Sequence, residues 1–336
     1  MASAAPQRSS ILVIGSAGFI GSHLTSKLAE LGHYVVGFDQ HAPTEPFGTR
    51  QFIQGDIRQA EDIQRAITES AEPIDTVINL AAIHFDFGHE PDEYFETNEG
   101  GMQVLLNVMG QNNIKRLLFT SSIAVYGDRS DSADEQTAPT PTSPYGASKL
   151  AAEKQIEQWV AAHPDFNITI MRPCAVYGER NISNMMNLIR QIYSGFFVLF
   201  GAGDNVKAPA YVGNLVDAMI SRLDQLSPGI QVYNYADKPD LTVREIVGII
   251  RSELGRNPKP LWCPLWLGVL AALPFEAAAK LTGRNFPVSI ARVKKLAQPT
   301  QVEAQRIRGA GFQQAVSSAE GLRRMVRHFL AGRSQN

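Results

Sequence analysis

Cysteine is nearly absent: Cys174 and Cys263 are the only two in 336 residues. So few thiols exclude a disulfide-stapled scaffold and a cysteine-rich metal site, and they fit a reducing cytoplasm. An excess of one charge is missing too. Thirty-one Lys and Arg stand against 33 Asp and Glu, a net charge of −2, which argues against a broad nucleic-acid-binding face. Charged residues make up 19% of the chain, below the roughly 25% of average soluble proteins, so the chain is no polyelectrolyte. Long apolar runs are also lacking. The most apolar stretch, Leu261 to Leu281, is interrupted by Pro264, Pro274, Glu276 and Lys280. Its longest unbroken piece, Leu265 to Leu273, has nine residues, whereas a spanning helix needs roughly 20. The stretch reads by default as a buried core helix, or else as an apolar lip that meets a membrane or a lipid. Met1 to Ser10 holds no apolar signal core and reads as a short loose leader.

What is present is a large apolar fraction, 44%, enough for a sizeable core. At about 150 residues per domain the length suggests two units. Short apolar runs at Ser10–Ile14, Tyr34–Phe38, Phe52–Gln54, Thr76–Leu80, Leu117–Ser121 and Ile168–Arg172 read as strands. Helical patterns at Ile20–Leu31, Ala60–Thr68, Tyr94–Met109 and Tyr145–Ala162 alternate with them. This rhythm predicts an α/β fold with a doubly wound parallel sheet. Asp128 to Pro144 reads as a surface loop. After Gly178 the rhythm changes. We therefore expect a dinucleotide-binding domain over residues 1–178 and a smaller C-terminal α/β lobe over 179–336, with some later strands returning to the first sheet.

Gly15, Gly18 and Gly21 form G-x-x-G-x-x-G between the first strand and first helix. Glycine permits close backbone approach to a pyrophosphate, and the helix N-terminus that follows suits its negative charge. Asp39 closes the second strand, 18 residues after Gly21. A carboxylate there accepts hydrogen bonds from ribose hydroxyls and repels a 2′-phosphate, which favours NAD over NADP.

Tyr145 and Lys149 are four residues apart, on one helix face. An ammonium beside a phenol favours the phenolate and makes it a base near neutral pH. Ser121 and Ser122 end the fifth strand, at the edge where doubly wound sheets bind ligands. A bare Tyr-x-x-x-Lys occurs often by chance; here it accompanies the glycine turn and the serine pair.

Together these residues resemble the extended short-chain dehydrogenase/reductase superfamily, the NAD-dependent epimerase/dehydratase family. Further matches are Gly55-Asp56-Ile57, Asn79-Leu80-Ala81-Ala82, Asn98, Val125-Tyr126-Gly127, Arg172-Pro173 and Val176-Tyr177-Gly178. The resemblance implies a Rossmann domain and a bound NAD. It places Phe19 and Ile20 with the glycine turn, and Asp56 and Ile57 beside the adenine. Leu80, Ala81 and Ala82 would line the dinucleotide, with Ser121, Tyr145 and Lys149 also touching it. Asn98 would support the backbone beside the site, and Pro173 would lie near the nicotinamide. Ser122, Tyr145 and Lys149 become the expected catalytic residues.

The family's dehydratases carry Asp-Glu directly after the strand serine or threonine, and its decarboxylases also use a Glu there. Ile123 and Ala124 stand in those places and transfer no protons, which leaves an epimerase or a simple dehydrogenase. Residues 181–192, 201–205 and 210–216 resemble nucleotide-sugar epimerases. Two features depart from that pattern: Lys207 stands where soluble epimerases of uridine-diphosphate sugars commonly carry Arg, and their late Arg-x-Gly-Asp is absent. Arg292-Val293-Lys294-Lys295 stands in its neighbourhood. The C-terminal third, with residues 232–241, 281–283 and 288–295, resembles a narrower family: the 4-epimerases of N-acetylglucosamine linked through diphosphate to undecaprenol, used in bacterial surface polysaccharide (O-antigen) synthesis.

That resemblance implies a cycle. Tyr145 abstracts the O4 proton, NAD takes the C4 hydride, the 4-keto sugar turns over, and hydride returns to its other face. Ser122 orients O4, and Lys149 holds the nicotinamide ribose. Asn184, Lys207 and Arg292 join Ser122 as expected substrate contacts. The rival readings are the same chemistry on a soluble uridine-diphosphate sugar (the nucleotide-linked amino sugar UDP-N-acetylglucosamine, or UDP-glucose), a sterol-like alcohol dehydrogenase, and a non-catalytic NAD sensor. The family habit implies a homodimer through the helices near 98–110 and 146–162. We expect no metal and a cytoplasmic location, with peripheral contact to the inner membrane where the apolar lip applies.

Overall fold

The computed structural model describes residues 8–84, 90–129, 131–182, 184–195, 197–223, 225, 227–267 and 301–333. The expected alternation of strands and helices forms. Strands β1 (Ser10–Ile14), β2 (Tyr34–Asp39), β3 (Gln51–Gln54), β4 (Thr76–Asn79), β5 (Arg116–Thr120) and β6 (Asn167–Pro173) lie in one parallel sheet in the order 3-2-1-4-5-6. A seventh strand, Gly229–Tyr235, returns from late in the chain and pairs in parallel with β6. The topological switch point lies between β1 and β4. In such sheets ligands bind there, beyond the carboxyl ends of the strands.

Alternating side chains of each strand enter opposite faces, so the sheet has two cores. Helix α1 spans Phe19–Glu30 and α3 Pro91–Tyr94. Leu12, Ile14, Val36, Phe38, Leu117 and Phe119 pack on one side of the sheet, under α2 (Ala60–Thr68), α4 (Gly101–Gln111) and α5 (Pro144–Ala162). Ile11, Val13, Ile78, Leu118 and Met171 face the other side. There they join α1 and the later helices α6 (Asn184–Ser194), α7 (Val212–Leu223), α8 (Val243–Glu253), α9 (Gln305–Gly309) and α10 (Ser318–Arg333) in one continuous core.

Three expectations change. The helix expected over Tyr94–Met109 is not one regular α-helix: α3 and α4 flank a π-helical segment, Phe95–Gly100. Hydrophobic periodicity does not register one widened turn, and such turns often mark functional positions. The apolar stretch is not a buried helix where it is described. Leu261–Cys263 forms a short strand beside Val198–Phe200, and Leu261, Trp262, Trp266 and Leu267 are exposed. The rest of it, with Arg292, Lys294 and Lys295, lies outside the described residues. The 128–144 loop is also not wholly on the surface, because Ala133 is buried and bridges Val302.

Candidate active site

The glycine turn begins where β1 ends. Gly15 adopts φ +83°, a left-handed conformation that glycine enters without steric cost. Its N–H and that of Ser16 both donate to the Phe38 carbonyl, at 2.8 and 3.2 Å. A Cβ on Gly15 would stand 2.8 Å from the Ala81 nitrogen, so this turn touches the segment after β4. A Cβ on Gly21 would strike the Gly15 carbonyl oxygen and lie 2.8 Å from Ser16 Cα. That contact lets α1 start close against the strand. Gly18 is exposed. No side chain caps α1, and no acidic residue stands in its first turn. Phe19 and Ile20, half-buried, open the helix. A glycine cradle facing an uncapped helix N-terminus fits the diphosphate of a dinucleotide.

Asp39 ends β2 beside this cradle. Its Oδ2 accepts the Ala17 N–H at 3.0 Å and its Oδ1 the His41 N–H at 3.1 Å. Asp56 follows β3. Arg58 grips its carboxylate through Nε at 2.9 Å and Nη2 at 2.6 Å, and these hydrogen bonds hold the carboxyl below its ordinary range. Ile57 is buried. Leu80, Ala81 and Ala82 are half-buried after β4, with the Ala81 N–H bonded to the buried Asn79 side chain at 3.0 Å. Pro173, also buried, closes β6.

Asn98 sits in the π-helical segment, nearly out of solvent. Its carbonyl oxygen accepts the Ile83 N–H at 3.0 Å, and its amide donates to the Ile83 carbonyl at 3.1 Å and to Ser148 Oγ at 2.9 Å. One side chain thus ties the segment after β4 to α5. Ser148 in turn donates to the Tyr145 carbonyl at 2.9 Å.

Helix α5 starts at a Ser143 cap that accepts the Gly146 N–H at 3.1 Å, with Pro144 in the first turn. A Cβ on Gly146 would collide with the Ala124 carbonyl. The helix start therefore lies directly on the 3-10 turn Ile123–Tyr126, for which Ser122 is the cap, accepting the Ala124 N–H at 3.1 Å. This contact puts half-buried Tyr145 on the turn after the strand serines. Lys149, one helical turn on, is 2% exposed. Its ammonium donates to the Thr120 carbonyl at 2.9 Å and lies 4.8 Å from the centre of the Phe119 ring. Burial pushes its pKa down to about 7, opposed by the Glu153 carboxylate. Ser121 Oγ and Thr120 Oγ1, at the end of β5, are buried without a hydrogen-bond partner.

Asn184 is exposed at the start of α6, and Lys207 is half-buried in a two-residue strand paired with Leu241–Thr242. Both lie in the later part of the chain, away from the glycine cradle in sequence. Arg292 is outside the described residues.

Several groups escaped the sequence reading. Arg172 and Glu153 form a buried ion pair, with Arg172 Nε 2.9 Å from Glu153 Oε1. Arg172 Nη1 also donates to the Tyr126 hydroxyl at 2.8 Å, which donates to Asn234 Oδ1 at 2.8 Å. Asp237 is fully buried. It accepts bonds from the Tyr211 N–H at 2.7 Å, Asn214 at 3.0 Å and the Tyr235 hydroxyl at 2.8 Å. An apolar strand flanked by a lone charge does not reveal a partner 19 residues away, though Glu153 at i+4 from Lys149 was a legible sign.

The family model described as "NAD dependent epimerase/dehydratase family" matches residues 11–236. The chain is 35% identical, over 95% of its length and 94% of the relative, to an N-acetyl-alpha-D-glucosaminyl-diphospho-ditrans,octacis-undecaprenol 4-epimerase of Escherichia coli O157:H7. It is 31% identical to a UDP-glucose 4-epimerase of Lacticaseibacillus casei, over 74% of this chain and 82% of that one. Its fold is similar to that of a UDP-glucuronic acid 4-epimerase from Bacillus cereus solved with NAD, with a TM-score of 0.74 at 23% identity, over 96% of this chain and 99% of that one.

Proposed function

The chain belongs to the NAD-dependent epimerase/dehydratase family, and on that premise we propose that it is the 4-epimerase of a polyprenyl-diphosphate-linked amino sugar. It interconverts N-acetylglucosamine and N-acetylgalactosamine carried on undecaprenyl diphosphate. One observation carries the choice of substrate. Similarity to the lipid-linked-sugar enzyme runs over 95% of the chain, whereas the Lacticaseibacillus UDP-glucose 4-epimerase covers 74%.

A bound NAD would supply reversible hydride acceptance at C4 of the sugar. Everything else falls to the chain. Gly15, Gly18 and Gly21 with the α1 N-terminus hold the diphosphate, and Asp39 takes the adenosine ribose. Tyr145 as phenolate removes the O4 proton and gives it back in the reverse step. The Lys149 ammonium lowers the cost of that phenolate. Ser122 holds O4 by a hydrogen bond. Ile123 and Ala124 offer no acid to expel a hydroxyl, so these positions do not support dehydration.

The lipid is the reason for the exposed Leu261, Trp262, Trp266 and Leu267. Two indoles and two leucines within seven residues suit the water–acyl boundary. No helix among the described residues is long and apolar enough to cross a membrane; the contact we propose is peripheral, on the cytoplasmic face. Arg292, Lys294 and Lys295 would meet the diphosphate. A homodimer through α4 and α5 completes the reading.

The test offers the purified enzyme N-acetylglucosamine on undecaprenyl diphosphate and on UDP, then analyses the sugar released by mild acid. We expect N-acetylgalactosamine from the lipid-linked pool. Efficient turnover of the UDP sugar alone would assign the soluble substrate instead. Net NADH accumulation would assign a dehydrogenase. Trp262→Ser with Leu267→Ser should reduce sedimentation with anionic vesicles more than thermal stability; a variant that sediments like the parent removes the lip.

A further inference from the structure

Tyr145, Lys149 and Glu153 recur every fourth residue along α5, one turn apart on the same face. The first two are accounted for by proton transfer. Glu153 is as buried as Lys149, both 2% exposed. A carboxylate there is costly unless it is paired and hydrogen-bonded.

Its pairing is complete and comes from a different layer of the fold. Arg172 projects from β6 and meets both carboxylate oxygens in a forked contact. The guanidinium lies 5.1 Å from the Tyr126 ring centre and donates to that hydroxyl at 2.8 Å. Tyr126 belongs to the turn that Ser122 caps. The Tyr126 hydroxyl donates to Asn234, whose N–H reaches Glu135 at 2.8 Å and whose amide reaches the Glu303 carbonyl at 3.2 Å. Glu153 is thus held from the sheet through both of its oxygens.

The Lys149 ammonium has different surroundings. Its hydrogen bond goes to a neutral carbonyl, that of Thr120, and its other contact is the Phe119 ring. The anion that acts on it is Glu153, about 6 Å along the helix axis. Tyr145 lies as far in the other direction. Beyond Glu153 stands the positive Arg172.

We propose that Glu153, clamped by Arg172, is a positioning residue that keeps the Lys149 ammonium charged and in place beneath Tyr145. This rests on the reading of Tyr145 and Lys149 as the proton-transfer pair. The physical logic is that burial pulls the ammonium's pKa down to about 7 even with that anion in place, and without a fixed anion to oppose the loss the proton would leave at lower pH still. The carboxylate must not take up the ammonium as its own salt-bridge partner, because Lys149 is needed at the site. Pairing Glu153 with Arg172 meets both conditions: hydrogen bonds to the guanidinium occupy both oxygens while the charge still acts along the helix.

The test is the pH profile of kcat in Glu153→Gln, in Glu153→Asp, and in the double variant Glu153→Gln with Arg172→Met. The double variant removes both charges together, a change buried ion pairs tolerate better than loss of one partner. The active form carries a phenolate at Tyr145 and an ammonium at Lys149. Loss of the anion lowers the pKa of both, and more so that of Lys149. The alkaline limb should therefore move to lower pH by about one unit or more in Glu153→Gln, and in the same direction in the double variant. The acid limb should move less, KM should stay within about twofold, and Glu153→Asp should restore most of the parent profile. An alkaline limb unchanged in whichever Gln variant folds would overturn the proposal, even where kcat falls. Tyr145→Phe serves as the reference. If it retains turnover, the proton-transfer reading itself fails; if it is inactive while the Glu153 limb stays fixed, this inference fails alone.

Discussion

Replacing Gly21 by alanine adds one methyl group at the most crowded point of the cofactor cradle. The new Cβ would overlap the Gly15 carbonyl oxygen and stand 2.8 and 2.9 Å from Ser16 Cα and C. All three are backbone atoms, so no rotamer change relieves the contact. The turn itself resists moving: Gly15 and Ser16 both donate to Phe38, and Ala17 donates to Asp39. The helix start and the turn must separate by about 1 Å, and overpacking of this kind costs about 1–3 kcal/mol. That corresponds to a fall in Tm of about 2–4 °C per kcal/mol or somewhat less in a chain of this size. Affinity suffers as well as stability, because the backbone N–H groups that would face the diphosphate move with the turn. We expect NAD retention to drop at least tenfold, about 1.4 kcal/mol. The assay is NAD content after gel filtration, together with a thermal melt. Gly32→Ala is the control: it also has positive φ, +87°, but nothing lies within 4 Å of its Cβ position. It should lose stability of the order of 1 kcal/mol with NAD unaffected. A Gly21→Ala protein that retains NAD like the parent would refute the cradle assignment.

Tyr145→Phe should lower turnover by about 10²–10⁴-fold with NAD still bound; near-parental turnover would remove Tyr145 from the chemistry. Asp39→Ala should weaken NAD and narrow its preference over NADP, measured by titration of both cofactors; an unchanged preference would separate Asp39 from the 2′-hydroxyl. Burial pushes the Asp237 carboxyl up to about 6, so the folded chain holds its proton more tightly than the unfolded one. Stability should therefore fall as pH rises from about 4 to about 6, by on the order of 3 kcal/mol. Denaturant melts of Asp237→Asn should lack that part of the slope, and an identical slope would place the titration elsewhere.

The local parts of this protein were legible in the residue order. Strand and helix positions followed from periods of two and about 3.6, because side-chain burial repeats with the backbone. Gly15 to Gly21, Asp39 and the Tyr145–Lys149 spacing were readable for the same reason: each is a contact between residues close in sequence, or a backbone conformation one residue type permits. What the sequence left open depends on separate segments meeting. Leu261 and Trp262 are exposed on an edge strand laid beside Val198–Phe200, and Trp266 and Leu267 are exposed just beyond it, whereas hydrophobicity alone reads such a stretch by default as buried. The π-helical turn that aims Asn98 at both Ile83 and Ser148 leaves the apolar pattern almost unchanged. The Glu153–Arg172–Tyr126–Asn234 chain draws on α5, β6, a 3-10 turn and the returning seventh strand. Buried charges must find partners wherever the fold supplies them, so only the tertiary structure decides which ones they are.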